Sequence, residues 1–489
     1  MELKALAFIS FAFLMATAFL FASFRDAYYL RWGGIAVLIT ASAFLTGNYF
    51  VVAGLLISVA FVIRNQYNAD KIAAWLFMLP LLPVAWSYHV PMVGVNFLLE
   101  LNYPRLLALI FLAPLLFAAL RKGMLKGGGN RAWFIDALVL IYFLYICLFE
   151  FRRESVTNTL RYITYDFLLI ALPYIVMTRF IQTKNDLFKV LRALMFSTML
   201  FALLAIVAEL FKWNLYGALH SPYLIELRLA DFSEFRAGIL RIKATMFSPI
   251  VFGYFLLLGA ASLYAFKGYL NRKQGLITLG LLLLLLLAIL FTFSRGVWLA
   301  VVITGLAIIY LRLPGKGVRQ MFPVLLGMAA VVFYKFSAVA EGMDTYGTFD
   351  YRAALIDASW VVFEKNPVFG SLGFRENTVF ELLQQGGGFV DFVNSYVNIT
   401  LDSGLVGLGL YLIIPVVLLF QIYRKLQVPW LYRDKVMKHT GIAFFAIITA
   451  TMVLLLTVSS ITFIPIYYWI LIGVSSAWVR MANMKEVLQ

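Results

Sequence analysis

The chain has 489 residues, 63% of them apolar, 17% aromatic and only 13% charged, with a mean hydropathy of +0.91. Soluble domains are about half apolar and about a quarter charged, so this composition excludes a secreted or cytosolic globular enzyme and places the chain in a bilayer. Forty Lys and Arg against 24 Asp and Glu leave a net charge of +16; in a membrane protein that excess belongs first to cytoplasmic loops under the positive-inside rule, and no nucleic-acid partner is expected.

A spanning helix needs about 20 apolar residues. In chain order the expected spans are 3–23, 28–46, 48–63, 72–90, 105–120, 133–150, 164–180, 187–211, 247–266, 275–293, 296–311, 320–338, 402–422, 440–458 and 461–479. The stretch 33–63 is short for two helices and long for one, so about 14 spans are expected, give or take one. The first run is long and lacks a good cleavage site after Ser23, so it reads as a span and not as a signal peptide. Runs such as 279–291 have helical length, not the alternation of an outer-membrane barrel, and the expected fold is an all-α polytopic membrane protein. Three parts are expected: a transmembrane bundle over 1–338, a loop domain over 339–401, and the closing transmembrane helices over 402–489.

From Arg64 onward alternate loops are short and basic, with clusters at Arg64/Lys71, Arg121/Lys122/Lys126/Arg131, Arg179/Lys184/Lys189, Lys267/Arg272/Lys273, Arg312/Lys316/Arg319 and Arg424/Lys425/Arg433/Lys435/Lys438. The rule makes that side cytoplasmic and puts the carboxyl terminus inside, while the side of the amino terminus stays open. The other face then holds loops at 91–104, 151–163, 212–246 and 339–401. The last is long enough to fold as two or three helices, and an enzyme whose sizeable loop lies outside is expected to work there.

That outer face should be poor in basic residues, yet it carries Arg152, Arg153, Arg161, Arg228, Arg236, Arg241, Lys243, Arg295, Arg352 and Arg375. Guanidinium forks bind phosphate or diphosphate oxygens bidentately, so these residues point to an anion site; the alternative is contact with lipid headgroups or with Glu150, Glu154, Asp231 and Glu234. Arg295 is the sharpest of them, because it stands between two apolar runs with almost no loop. Arg241 and Lys243 precede Thr245, Ser248 and Pro249, a plausible helix start next to two cations. Asn394, Ser395 and Asn398 are at helical spacing and could face a cavity or simply cap a helix. One Cys and three His argue against a His/Cys metal site, and no cofactor is expected.

Three blocks then stand out together: 241–254 entering a span, Ser294-Arg295-Gly296, and the tail of the long loop around 394–411. Their order and spacing resemble the superfamily of O-antigen ligases and Wzy-type polymerases of bacterial surface polysaccharide assembly. The resemblance implies a GT-C-like, metal-independent glycosyltransferase of the bacterial inner membrane, with its active site facing the periplasm. The donor would be an undecaprenyl-diphosphate-linked glycan, the acceptor a glycan or lipid, and other polysaccharide-assembly proteins candidate partners. By motif position, Arg241 and Arg295 would bind the diphosphate, joined by Lys243 and Arg161 from the basic residues of the outer face; Arg352 and Asn394 would belong to the catalytic set. The chain departs from the family where a histidine is expected, since Val393 precedes Asn394. His220 and His439 do not match that position, so either Asp391, Glu376 or Glu381 serves as base, Asp391 foremost because it is two residues from the vacant place, or strong leaving-group stabilisation makes a dedicated base less necessary. The missing histidine favours polymerisation of O-antigen or exopolysaccharide over ligation to the lipid A core of lipopolysaccharide. A flippase of lipid-linked sugars is the contrasting class; it predicts repeated halves and mid-span charges, and neither is visible.

Overall fold

The computed structural model describes residues 1–124, 133–153, 155–224, 234–236, 238–269, 272–313, 348–384, 390 and 392–487. The expected span at 320–338, Arg228, Asp231 and Asp391 lie outside the described residues, as does the side chain of Arg236.

The fold is mostly helical, and nine of its described helices are long and apolar enough to cross a membrane. In chain order they and their neighbours are α1 (Glu2–Phe24), α2 (Ala27–Thr46), α3 (Tyr49–Val62), α4 (Asn68–Met78), the antiparallel ribbon β1 (Ser87–Met92) and β2 (Val95–Asn102), α5 (Tyr103–Arg121), α6 (Trp133–Glu150), α7 (Val156–Phe180) and α8 (Lys184–Leu210). A second ribbon, β3 (Phe235–Arg236) with β4 (Ile239–Leu240), leads to α9 (Pro249–Phe266), α10 (Arg272–Leu290), α11 (Arg295–Arg312), α12 (Thr348–Lys365), α13 (Ser395–Leu426), α14 (Lys435–Leu454) and α15 (Ile464–Val487). The stretch 33–63 resolves into α2 and α3, joined at Gly47 and Asn48, whose side chain caps α3. Helices α8 and α9 are buried over most of their apolar length and form the centre of the bundle, whereas α1 and α2 keep one face for lipid.

The expected span at 72–90 is corrected. Helix α4 stops at Met78, because Pro80 and Pro83 cannot continue the ladder, and the chain then turns into β1. Hydropathy averaging cannot see this break, since the residues that follow are still apolar or aromatic. Inside a membrane, carbonyls released by such a break must be satisfied by protein. Here four hydroxyls take them: Ser197 donates to Phe77 O (3.2 Å), Tyr103 to Met78 O (2.9 Å), Thr245 to Pro80 O (2.6 Å) and Tyr216 to Leu81 O (3.0 Å).

The structure also relates the two ends of the bundle. Glu2 pairs with His220 at 3.1 Å, Ser221 Oγ donates to Gly47 O, and Tyr49 OH donates to Leu101 O. Met1 therefore lies at the same end as the 212–246 segment, which the sequence left open. At the opposite end Asp26 pairs with Arg192, Asp70 with Lys189 and Asp434 with Lys184.

The strongest knot at that opposite end is Asp136 on α6. Its carboxylate accepts from Tyr174 OH (2.7 Å) and Arg179 (3.0 Å) on α7 and from Arg480 on α15. Removing the acid would leave two largely buried guanidinium groups without it. Asp136→Ala is expected to cost about 3–5 kcal/mol, read as a lower melting temperature of the detergent-purified protein; a melt matching wild type would show that the knot is dispensable.

Candidate functional site

The site is built from four stretches of chain that meet at the Met1 end of the bundle. The first is 241–245. Leu240 N donates to Glu209 Oε2 (3.1 Å), which fixes the incoming ribbon on the end of α8, and Thr245 anchors the outgoing chain on Pro80. Between these anchors Arg241 pairs with Glu234, and Lys243 is only 3% exposed. Ser248 Oγ accepts from Ile250 N (3.3 Å) and caps α9, whose first residue is Pro249. Of the two hydroxyls expected as caps, Ser248 is the cap and Thr245 is the anchor.

The second stretch is the turn 291–295 between α10 and α11. Ile242 N donates to Phe291 O at 3.2 Å, so the stretch carrying Arg241 and Lys243 is tied directly to the turn that leads to Arg295. Arg295 opens α11 immediately after Ser294. Ser294 occupies the N-cap position without capping, and its hydroxyl is buried with no hydrogen-bond partner among the described residues. A buried hydroxyl left this way costs free energy unless something else is bound.

The third stretch, 455–463, was expected to be little more than a junction between spans 440–458 and 461–479. Instead α14 ends at Leu454 and α15 begins at Ile464, leaving a hydroxyl-rich turn. A Cβ at Gly296 would meet Thr457 Oγ1 at 2.3 Å, so this turn lies against the start of α11. It also holds the fourth stretch: Ser395 N donates to Leu455 O (2.9 Å), Ser395 Oγ to Val458 O (2.6 Å) and Ser459 Oγ to Phe392 O (2.6 Å). The start of α13 is thereby fixed beside α11. Thr457 and Ser459 were missed by sequence reasoning; the only signal was the run of Ser and Thr interrupting an otherwise apolar stretch.

Backbone strain gathers in the same stretches. Among the described residues, six that are not glycine have positive φ, and four of them are Ala244 (48°), Phe247 (62°), Phe293 (48°) and Thr462 (50°). Each such residue costs on the order of 1–3 kcal/mol and persists only where its surroundings over-determine it.

The other expected site residues fall as follows. Asn394 Oδ1 accepts from Tyr396 N (2.9 Å) and Val397 N (3.3 Å), so its oxygen caps α13 and only its amide nitrogen is left for other use. Arg352 stands on α12, one turn before Leu355, in the satellite core of Leu355, Ala358, Val362, Phe374, Phe392 and Leu401 that docks this segment onto α13. Arg375 donates to Asn398 Oδ1 at 2.6 Å, one helical turn after Asn394. Glu376 and Glu381 lie in the exposed turns that follow. Arg161 is not brought to the 241–295 junction by any of these contacts: it donates to Phe97 O, Leu98 O (3.3 Å) and Asn158 Oδ1 (2.7 Å), stapling α7 to β2. Arg152 has a similar duty, donating to Gly370 O (3.2 Å) and Asp402 O (3.3 Å).

Two cationic residues and an interfacial arginine, on stretches joined through one backbone hydrogen bond beside helix starts whose N–H groups carry positive dipole ends, have the chemistry to hold an anion. The family comparison covers the second half of that arrangement. A family model described as O-antigen ligase matches residues 280–412.

Residues 280–412 are thus similar to the O-antigen ligase family.

The match supports membership of the O-antigen ligase and polymerase superfamily, and with it glycosyl transfer in polysaccharide assembly. The ligase-family region runs from α10 into α13 and contains Arg295, Arg352, Arg375 and Asn394. Arg241 and Lys243 lie before it, and tertiary contacts bring them to it. No curated protein matches the chain.

Proposed function

We propose that the protein polymerises a bacterial surface polysaccharide, such as O-antigen or exopolysaccharide, at the periplasmic face of the inner membrane. An acceptor hydroxyl on one lipid-linked glycan attacks the anomeric carbon of another; the C–O bond to undecaprenyl diphosphate breaks, and the diphosphate leaves with its electron pair. Arg241, Lys243 and Arg295 neutralise the charge that develops on that leaving group, in a site where fixed cations need no reorganisation. The acceptor proton passes to a carboxylate, Asp391 foremost, and no metal ion is required. The observation that carries this reading is the hydrogen bond from Ile242 N to Phe291 O, which joins the two arginine-bearing stretches.

A second reading, transfer of the finished glycan to lipid A core or another acceptor, is favoured by the description of the matching family as ligase. One experiment separates the two. In cells deleted for this gene, undecaprenyl-diphosphate-linked glycans are extracted and sized: single repeat units are expected to accumulate if the protein polymerises, and full-length chains stranded on the lipid if it ligates. Repeat units confined to the cytoplasmic leaflet would remove both readings in favour of a transporter.

A further inference from the structure

At the end of the bundle away from the site, α5 carries a trough that the transfer reaction does not use. The helix is locally widened by a π-turn over Ala108–Leu112 and then enters Pro114. Leu109, Ala113, Pro114, Phe117 and Ala118 line it, and Arg121 and Lys122 bound one end, around an open volume of about 590 Å³. Phe117 is 63% exposed, so the trough opens on the surface that meets lipid.

The charge at that end is one-sided. Arg121 and Lys122 make no ion pair with any described residue, and Lys71 on α4 lies close enough to Lys122 for their charges to oppose one another. The acid adjacent to Lys71, Asp70, is already taken by Lys189 at 2.8 Å. Arg121 and Lys122, with Lys71 nearby and no carboxylate paired to them among the described residues, are stabilised by an anion supplied from outside. The apolar trough that runs from them has the size of a small-molecule site, and the hydrocarbon walls specify what the anion is attached to.

We propose that this trough binds one anionic phospholipid, its phosphate between Lys71, Arg121 and Lys122 and an acyl chain along Ala113, Phe117 and Ala118. The occupant is a lipid and not a free phosphate because the greater part of the lining is apolar and faces the bilayer. The site is independent of the proposed reaction.

The test uses the full-length protein in detergent, native mass spectrometry, and two probes with matched chains: phosphatidylglycerol and phosphatidylcholine. Wild type is expected to keep one phosphatidylglycerol under activation that strips phosphatidylcholine. The double variant Arg121→Gln/Lys122→Gln, at two exposed positions, is expected to bind phosphatidylglycerol roughly thirtyfold more weakly, about a factor of five for each charge removed. Ala118→Phe, which fills the trough, is expected to lose the adduct while leaving the three cations in place. Equal retention of both lipids by wild type, or unchanged phosphatidylglycerol binding by the double variant, would overturn the proposal; survival of the adduct in Ala118→Phe would overturn the chain's placement in the trough.

Discussion

Arg295→Ala is expected to reduce glycan transfer by at least about a hundredfold while leaving the protein in the membrane at normal levels. The reasoning is local. Arg295 begins α11 beside a turn that accepts Ile242 N at 3.2 Å, and in the proposed reaction its guanidinium acts with Arg241 and Lys243 on one leaving group. Removing a preorganised donor from a charge that develops only in the transition state costs roughly 10²–10³ in rate. Arg241→Ala is expected to act in the same way. Arg295→Lys should restore only part of the activity, because an ammonium cannot present the planar fork that matches a diphosphate. Arg161→Ala is the informative comparison, since its donors are held by Phe97 O, Leu98 O and Asn158. The measurement is product length and yield in membranes supplied with lipid-linked donor, with and without EDTA. Normal product from Arg295→Ala would remove that residue from the mechanism, and activity lost in EDTA and restored by a divalent ion would end the metal-free reading.

Gly404→Ala should be as damaging by a wholly different route. Helix α13 is broken at Gly404, whose φ of 68° and ψ of −172° belong to a region that essentially only glycine occupies. Into that break the chain 367–371 is spliced. Leu405 N donates to Pro367 O (2.9 Å), Val406 N to Val368 O (3.3 Å), and Ser371 N to Leu401 O (2.8 Å). Arg152 takes Asp402 O and Tyr145 OH takes Ser403 O (2.6 Å), so the carbonyls of the break are satisfied from two other parts of the chain. A Cβ at Gly404 would sit 2.1 Å from Val368 O, and one at Gly370 would sit 2.6 Å from Asp402 backbone atoms. Strain and lost hydrogen bonds together should cost about 3 kcal/mol or more. Detergent-purified Gly404→Ala is expected to melt well below wild type and to lose transfer, whereas Gly409→Ala, where an added Cβ meets nothing within 4 Å, should leave both unchanged. If Gly404→Ala melts with wild type, the splice does not hold the segment in place.

The two predictions divide along the line between what sequence and structure contribute. Composition and the length of apolar runs were sufficient for a polytopic helical membrane protein, because burial in lipid is a property of each helix taken alone. The same is true of the arginines at loop ends, which stand out against an orientation bias without any knowledge of contacts. Spans such as 3–23 and 105–120 agree with α1 and α5 to within a few residues.

What depends on partners far away in the chain was not legible. Pro80 and Pro83 end α4 locally, but the break is tolerated inside the bundle only because hydroxyls of Ser197, Tyr103, Thr245 and Tyr216, all distant in sequence, take the released carbonyls. The break at Gly404 needs Arg152, Tyr145 and the 367–371 stretch to satisfy it, so hydropathy read 402–422 as one uninterrupted span. The same holds at the site. Sequence nominated Arg241, Lys243, Arg161 and Arg295 as one set by charge and motif order, yet only a backbone hydrogen bond ties 241–243 to 291–295, and Arg161 is committed to β2. The capping role of Asn394 is local and was one of the two readings the sequence offered, whereas the 455–463 turn is a wall of the site through distant partners: a hydrogen bond is a statement about two positions, and a sequence read one position at a time shows only the donors and acceptors available for it.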